Sequence, residues 1–103
     1  MLTEVIEMML AATPTTEREI DRARTAGDTP AVAAAAHGLK GTVGLFVKAA
    51  AYEAAAELER AARQGEIDRI EPAAARLAEE MTALRRHLKS LLKEIKSFPS
   101  ASA

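Results

Sequence analysis

Eight apolar residues, Ile70, Ala74, Leu77, Met81, Leu84, Leu88, Leu91 and Ile95, follow one another at alternating spacings of four and three. Wound at 3.6 residues per turn they form one seam along a single helix. Such a seam runs for about 40 Å at 1.5 Å per residue. It can be buried only by helices lying lengthwise against it, which is how antiparallel neighbours pack. The seam therefore predicts an all-α chain, an antiparallel four-helix bundle joined by short turns. Glu71-Pro72 falls near the start of this last helix.

The rest of the chain supplies the neighbours. Leu2, Val5, Ile6, Met9 and Leu10 recur at helical spacing and predict a short additional N-terminal helix ending near Ala12. Thr13-Pro14 reads as a break and restart, threonine capping and proline taking a first helical position. A helix from about Pro14 to Ala26 follows, with Ile20 and Ala23 inward, and Gly27-Asp28 closes it. Thr29-Pro30 opens the next helix by the same device, and that helix is expected to end near Val47. Another runs to about Arg63, with Ala51, Ala54, Ala55, Leu58, Ala61 and Ala62 as its inner line, and Gln64-Gly65 stops it. Alanine makes up about a quarter of the chain, well above ordinary usage, and it is the best helix former. Met8, Met9 and Met81 read as core filler, and Phe46 with Tyr52 as plugs near the turn after the third helix. Residues 1–96 are thus one domain, and 97–103 a small polar tail expected to fray.

Several function classes drop out. Net charge is −1 and the pI about 6.1, so no general nucleic-acid surface is expected. Cysteine is absent, which removes disulfides, thiol catalysis and cysteine-ligated metals. No apolar run approaches the roughly 20 residues that span a bilayer. Glu4 and Glu7 stand where a signal peptide would be basic, so a cytoplasmic location without membrane contact is expected. His37 and His87 are too few for a metal site without converging carboxylates, and no metal ligand is assigned. His87, within Arg85-Arg86-His87-Leu88-Lys89, reads as part of a solvated basic face that suits the end of a helix.

The chemistry gathers in Ala33 to Phe46. On the helical wheel Val32, Ala35, Leu39, Val43 and Phe46 form a core stripe. His37, Lys40, Gly41 and Gly44 fall on the other side, with Ala33 a turn before the histidine. A glycine inside a helix costs roughly 1 kcal/mol relative to alanine, and a packing groove would lie on the apolar side. Glycines on the polar side point instead to close approach by an external partner. Imidazole is largely neutral at pH 7, with a nucleophilic nitrogen that can hold a phosphoryl group. Lys40, one turn along, is placed to pair with phosphoryl oxygens. The motif brings no nucleotide loop, no Mg²⁺ carboxylates and no general base beside His37. It could carry a phosphoryl group but not make one from ATP. Glu57 and Glu59 read as surface or edge residues, and Lys48, Arg60 and Arg63 as a basic rim or a solvated helix surface.

The run His-x-Leu-Lys-Gly-Thr, carried by His37, Leu39, Lys40, Gly41 and Thr42 with position 38 variable, resembles the signature of histidine-containing phosphotransfer (HPt) domains. The resemblance extends to Gly27-Asp28 nine residues before the histidine, to Ala36, to Gly44, to Leu58-Glu59 in the register of the family's Leu-Glu pair, and to Gly65-Glu66. Phe46-Val47 departs from the small residues that the family often has there. The resemblance implies a phosphocarrier of a two-component phosphorelay, with His37 as phosphoacceptor and Lys40 steadying the phosphoryl oxygens. Ala33, Gly41, Gly44, Lys48 and Arg63 would border the docking surface. The implied partners are response-regulator receiver domains, with a sensor histidine kinase as a further one. The chain would need no cofactor of its own, the Mg²⁺ belonging to the receiver, and a monomer is expected. Two alternatives stay open: the phosphotransfer module of a chemotaxis-type kinase, and a helical adaptor that never carries phosphate.

Overall fold

The computed structural model describes residues 2–44 and 50–97. These form four helices, α1 (Leu2–Thr25), α2 (Thr29–Gly44), α3 (Ala50–Arg63) and α4 (Ile67–Ser97), with no strand among them. Each helix packs on the next in chain order, and α1 also meets α4. Three cross-links fix the antiparallel register of α1 and α4: Glu7 with Lys96, Glu17 with Arg85, and Arg24 with Glu71.

The two described turns close by the same device. Gly27 and Gly65 take positive φ, 73° and 67°, a conformation open to glycine at little cost. After α1, the N–H of Asp28 donates to the Ala23 carbonyl at 2.9 Å and that of Gly27 to Arg24 at 3.1 Å. After α3, Glu66 donates to Ala61 at 2.9 Å and Gly65 to Ala62 at 3.2 Å. Both are Schellman closures, which satisfy carbonyls the helix leaves without partners. The cap of α2 is Asp28 rather than Thr29: its Oδ1 accepts the Ala31 N–H at 3.2 Å. A carboxylate is favoured there over a hydroxyl because it also meets the positive end of the helix dipole. That shifts Pro30 to the second helical position.

The N-terminal region corrects the sequence reading. No separate short helix precedes the bundle; α1 runs unbroken through Thr13-Pro14. The reason is packing. Ile6, Met9, Thr13, Ile20 and Ala23 are all buried, and their spacing keeps one phase across the proline. Burying that continuous face outweighs the interior proline, whose penalty is about 3 kcal/mol. The buried Thr13 hydroxyl donates to the Met9 carbonyl at 3.0 Å. Met8, expected in the core, is 69% exposed, whereas Met9 and Met81 are buried. The start of α4 also moves: it begins at Ile67, so Pro72 lies inside it.

One core joins all four helices. The share of it that α2 and α3 supply is largely alanine: Ala33 and Ala36 from α2, with Ala51, Ala54, Ala55, Ala61 and Ala62 from α3, all buried. Small side chains let two helix axes come to the near end of the usual 8–10 Å range.

Candidate functional site

His37 lies midway along α2, off the buried face set by Val32, Ala36, Leu39 and Val43. Its side chain is 62% exposed. Across the alanine seam, α3 presents Glu59, and this carboxylate organises the site. Its Oε2 lies 3.1 Å from His37 Nδ1 and accepts a hydrogen bond from Arg63 Nε at 2.8 Å. Its Oε1 lies 3.0 Å from Lys40 Nζ. The lysine's approach departs from hydrogen-bond geometry, so Oε1 has no hydrogen bond and the contact is an ion pair. Lys40 Nζ also stands 6.0 Å from the centre of the half-buried Tyr52 ring, at the outer limit of a cation–π contact.

Glu59 was expected at the surface or an edge, yet its side chain is only 10% exposed. Burial is the largest single influence on its carboxyl group and pushes its pKa up. Lys40, Arg63 and His37 together outweigh burial and hold the group at about 2, against an ordinary value of 4.5. Glu59 is therefore ionised at neutral pH and can only accept hydrogen bonds. The proton between it and His37 must then sit on Nδ1. A neutral imidazole with Nδ1–H carries its lone pair on Nε2. The fold thus selects which ring nitrogen keeps its lone pair. The sequence reading, which placed no base beside His37, missed this. Its usable signal was the Leu58-Glu59 register, together with the position of Glu59 one turn from both Ala55 and Ala62.

The other residues singled out in the sequence divide into groups. Lys40 and Arg63 converge on the histidine through Glu59, while Arg60 is exposed and joins no ion pair among the described residues. Gly41 is exposed, and a Cβ built on it would meet nothing within 4 Å. The same holds for Gly38, which the sequence reading passed over as a variable position. Internal packing thus requires neither glycine. Ala33 is corrected in one respect: at 4% exposure it is buried in the α2–α3 seam and does not stand open a turn before the histidine, because the seam draws in the flank of α2 next to its apolar stripe. Gly44 is the last residue of α2. Lys48, Phe46 and Val47 lie outside the described residues. His87 is exposed on α4, away from this cluster. Among the described residues no group of three His, Cys, Asp or Glu side chains could hold a metal ion. No described helix is long and apolar enough to cross a membrane.

Among known protein families, the one described as Hpt domain matches residues 4–87 of the chain. No curated protein and no solved structure matches it.

Proposed function

The chain belongs to the Hpt domain family, whose members pass phosphoryl groups through a histidine in phosphorelays, and on that premise we propose that His37 is the phosphoacceptor and exchanges its group with receiver-domain aspartates. One observation carries the reading: the Glu59 carboxylate lies 3.1 Å from His37 Nδ1 and also binds Lys40 and Arg63, so that in its ionised form it keeps the proton on Nδ1 and leaves the Nε2 lone pair free.

Each part of the transfer then has an owner. The Nε2 lone pair attacks the phosphorus of an aspartyl phosphate on the receiver. The P–O bond to that aspartate breaks, and the carboxylate leaves with the bonding electrons. The new N–P bond leaves the ring positively charged, and Glu59 offsets that charge through the Nδ1–H it already holds. In the onward step a second aspartate attacks phosphorus, the N–P bond breaks, and the imidazole leaves neutral because Nδ1 has kept its proton. Lys40 turns from Glu59 to the phosphoryl oxygens, and Arg63 lies within reach of the same group. The receiver contributes the aspartate and the Mg²⁺, so catalysis rests mainly on positioning and charge neutralisation. Gly38 and Gly41 keep the α2 surface low where the receiver must come close. A sensor histidine kinase would stand upstream, and the work would take place in the cytoplasm.

The test is transfer from a panel of phosphorylated receiver domains to wild type and to His37→Gln, read as acid-labile, alkali-stable label. Label on wild type alone supports the carrier. If both chains stay unlabelled while a known carrier is labelled in parallel, and phosphoramidate also fails to label wild type, the adaptor reading takes its place.

A further inference from the structure

A second surface lies at the other end of the bundle. Arg86, Lys89, Lys93 and Lys96 occur at spacings of three, four and three on α4 and are all exposed. That spacing puts four positive charges in one stripe over about 15 Å of helix. Of the four, only Lys96 meets an acidic partner among the described residues, Glu7 at 3.0 Å. Lys89, Lys93 and Lys96 border an open hollow of about 530 Å³ together with Leu92 and Ser97. Leu92 and the neighbouring Leu91 and Ile95 are only half-buried.

The helix dipole does not account for this stripe. Its attraction for cations fades within the last turn, whereas α4 ends at Ser97 and Arg86 and Lys89 lie two to three turns earlier. Like charges at i, i+4, as in Lys89 and Lys93, also cost an isolated helix a few tenths of a kcal/mol. We propose that the Arg86–Lys96 stripe of α4 is a docking track for an acidic amphipathic helix of a protein partner. Acidic side chains at matching three-and-four spacing would pair with the stripe, and one apolar side chain would enter the hollow against Leu92.

Charge complementarity selects this occupant. A second copy laid across the stripe by a two-fold axis would oppose lysine to lysine. A flat anionic bilayer would have to cover both Glu4 and Glu7 at this end, whereas a single helix along α4 meets Glu7 alone, already paired with Lys96. The track is also separate from the histidine. Arg76 pairs with Glu57 across α3 and α4, which levels that part of α4 with the site, and Lys93 lies roughly 25 Å further along the axis. A partner here and a receiver at His37 can bind together.

The test follows backbone amide shifts of the full chain against three probes: a synthetic acidic amphipathic helical peptide carrying glutamates and leucines at this spacing, the same peptide with each glutamate replaced by glutamine, and phosphatidylserine vesicles. The acidic peptide should shift residues 86–97 and leave those around His37 unmoved, binding more weakly as salt rises. Lys89→Glu/Lys93→Glu, at exposed positions, should melt as wild type does and lose affinity about tenfold or more. A peptide with lysines in place of the glutamates should recover binding to that variant. Equal binding by the glutamine peptide, no shift on α4, no rescue by the charge swap, or vesicles displacing the acidic peptide would each overturn the proposal.

Discussion

Replacing Gly38 and Gly41 together by alanine should make this protein more stable and a worse carrier. Neither added Cβ meets any atom within 4 Å, so no clash offsets the helix-forming advantage of alanine. Gly38 stands mid-helix and should contribute about 1 kcal/mol. Gly41 lies in the last turn of α2 and contributes less, for a total of about 1–2 kcal/mol. In a domain of this size that raises the melting temperature by roughly 5–15 °C. Thermal unfolding followed by far-ultraviolet circular dichroism reads the first half of the expectation. Transfer from a phosphorylated receiver reads the second, because on the proposed reading the methyl groups stand where the partner approaches. Gly41→Leu sharpens the contrast, since its bulk should block transfer while the bundle stays folded. A fall in melting temperature for the double alanine variant would show that the glycines serve the bundle itself. Transfer by Gly41→Leu at the wild-type rate would show that no partner comes close there.

Other perturbations separate the roles of single side chains. His37→Gln should lose all label and retain the fold, checked by a cooperative unfolding transition and an unchanged helical circular dichroism spectrum, because the side chain is mostly exposed. Glu59 ionises near 2 when folded and near 4.5 otherwise, so its stabilisation is complete above pH 4.5 and is lost as pH falls towards 2. The ceiling is about 3 kcal/mol, reduced by solvent screening of the exposed His37 and Arg63. Denaturant titrations of Glu59→Gln should therefore show a lower stability at pH 7 and lack that acid-dependent loss. Arg85→Met leaves the half-buried Glu17 without its ion pair and should cost about 1–3 kcal/mol in urea unfolding.

Much of the fold was legible because it rests on periodicity. The α4 seam and the inner line of α3 can be read directly from spacing, and the structure buries Ile70, Leu77, Met81, Leu84 and Leu88 together with all six positions named on α3. Pro14 was misleading because local propensity argues for a break there, while the phase of Ile6, Met9, Thr13 and Ile20 argues for continuity. Phase is the stronger signal, since it is enforced by the whole length of α4. The histidine, its lysine and the bare glycine face were likewise visible on the wheel. Glu59 was not, because a carboxylate's burial depends on what another helix brings to it. Only the spatial meeting of α2 and α3 turns an edge glutamate into the centre of the site. Ala33 failed for the related reason that a wheel assigns sides but not the width of the contact.

The alanine seam between α2 and α3 acts as a spacer gauge for proton placement. A glutamate reaches an imidazole on the neighbouring helix only while the two backbones stay close, and here methyl groups set that separation. Enlarging Ala55, with no change to any charged residue, would wedge the helices apart and stretch the 3.1 Å link between Glu59 and His37. On the proposed reading, the nucleophilicity of the ring is thus tied to core volume, and a purely apolar substitution in this bundle would be felt first as a change in its chemistry.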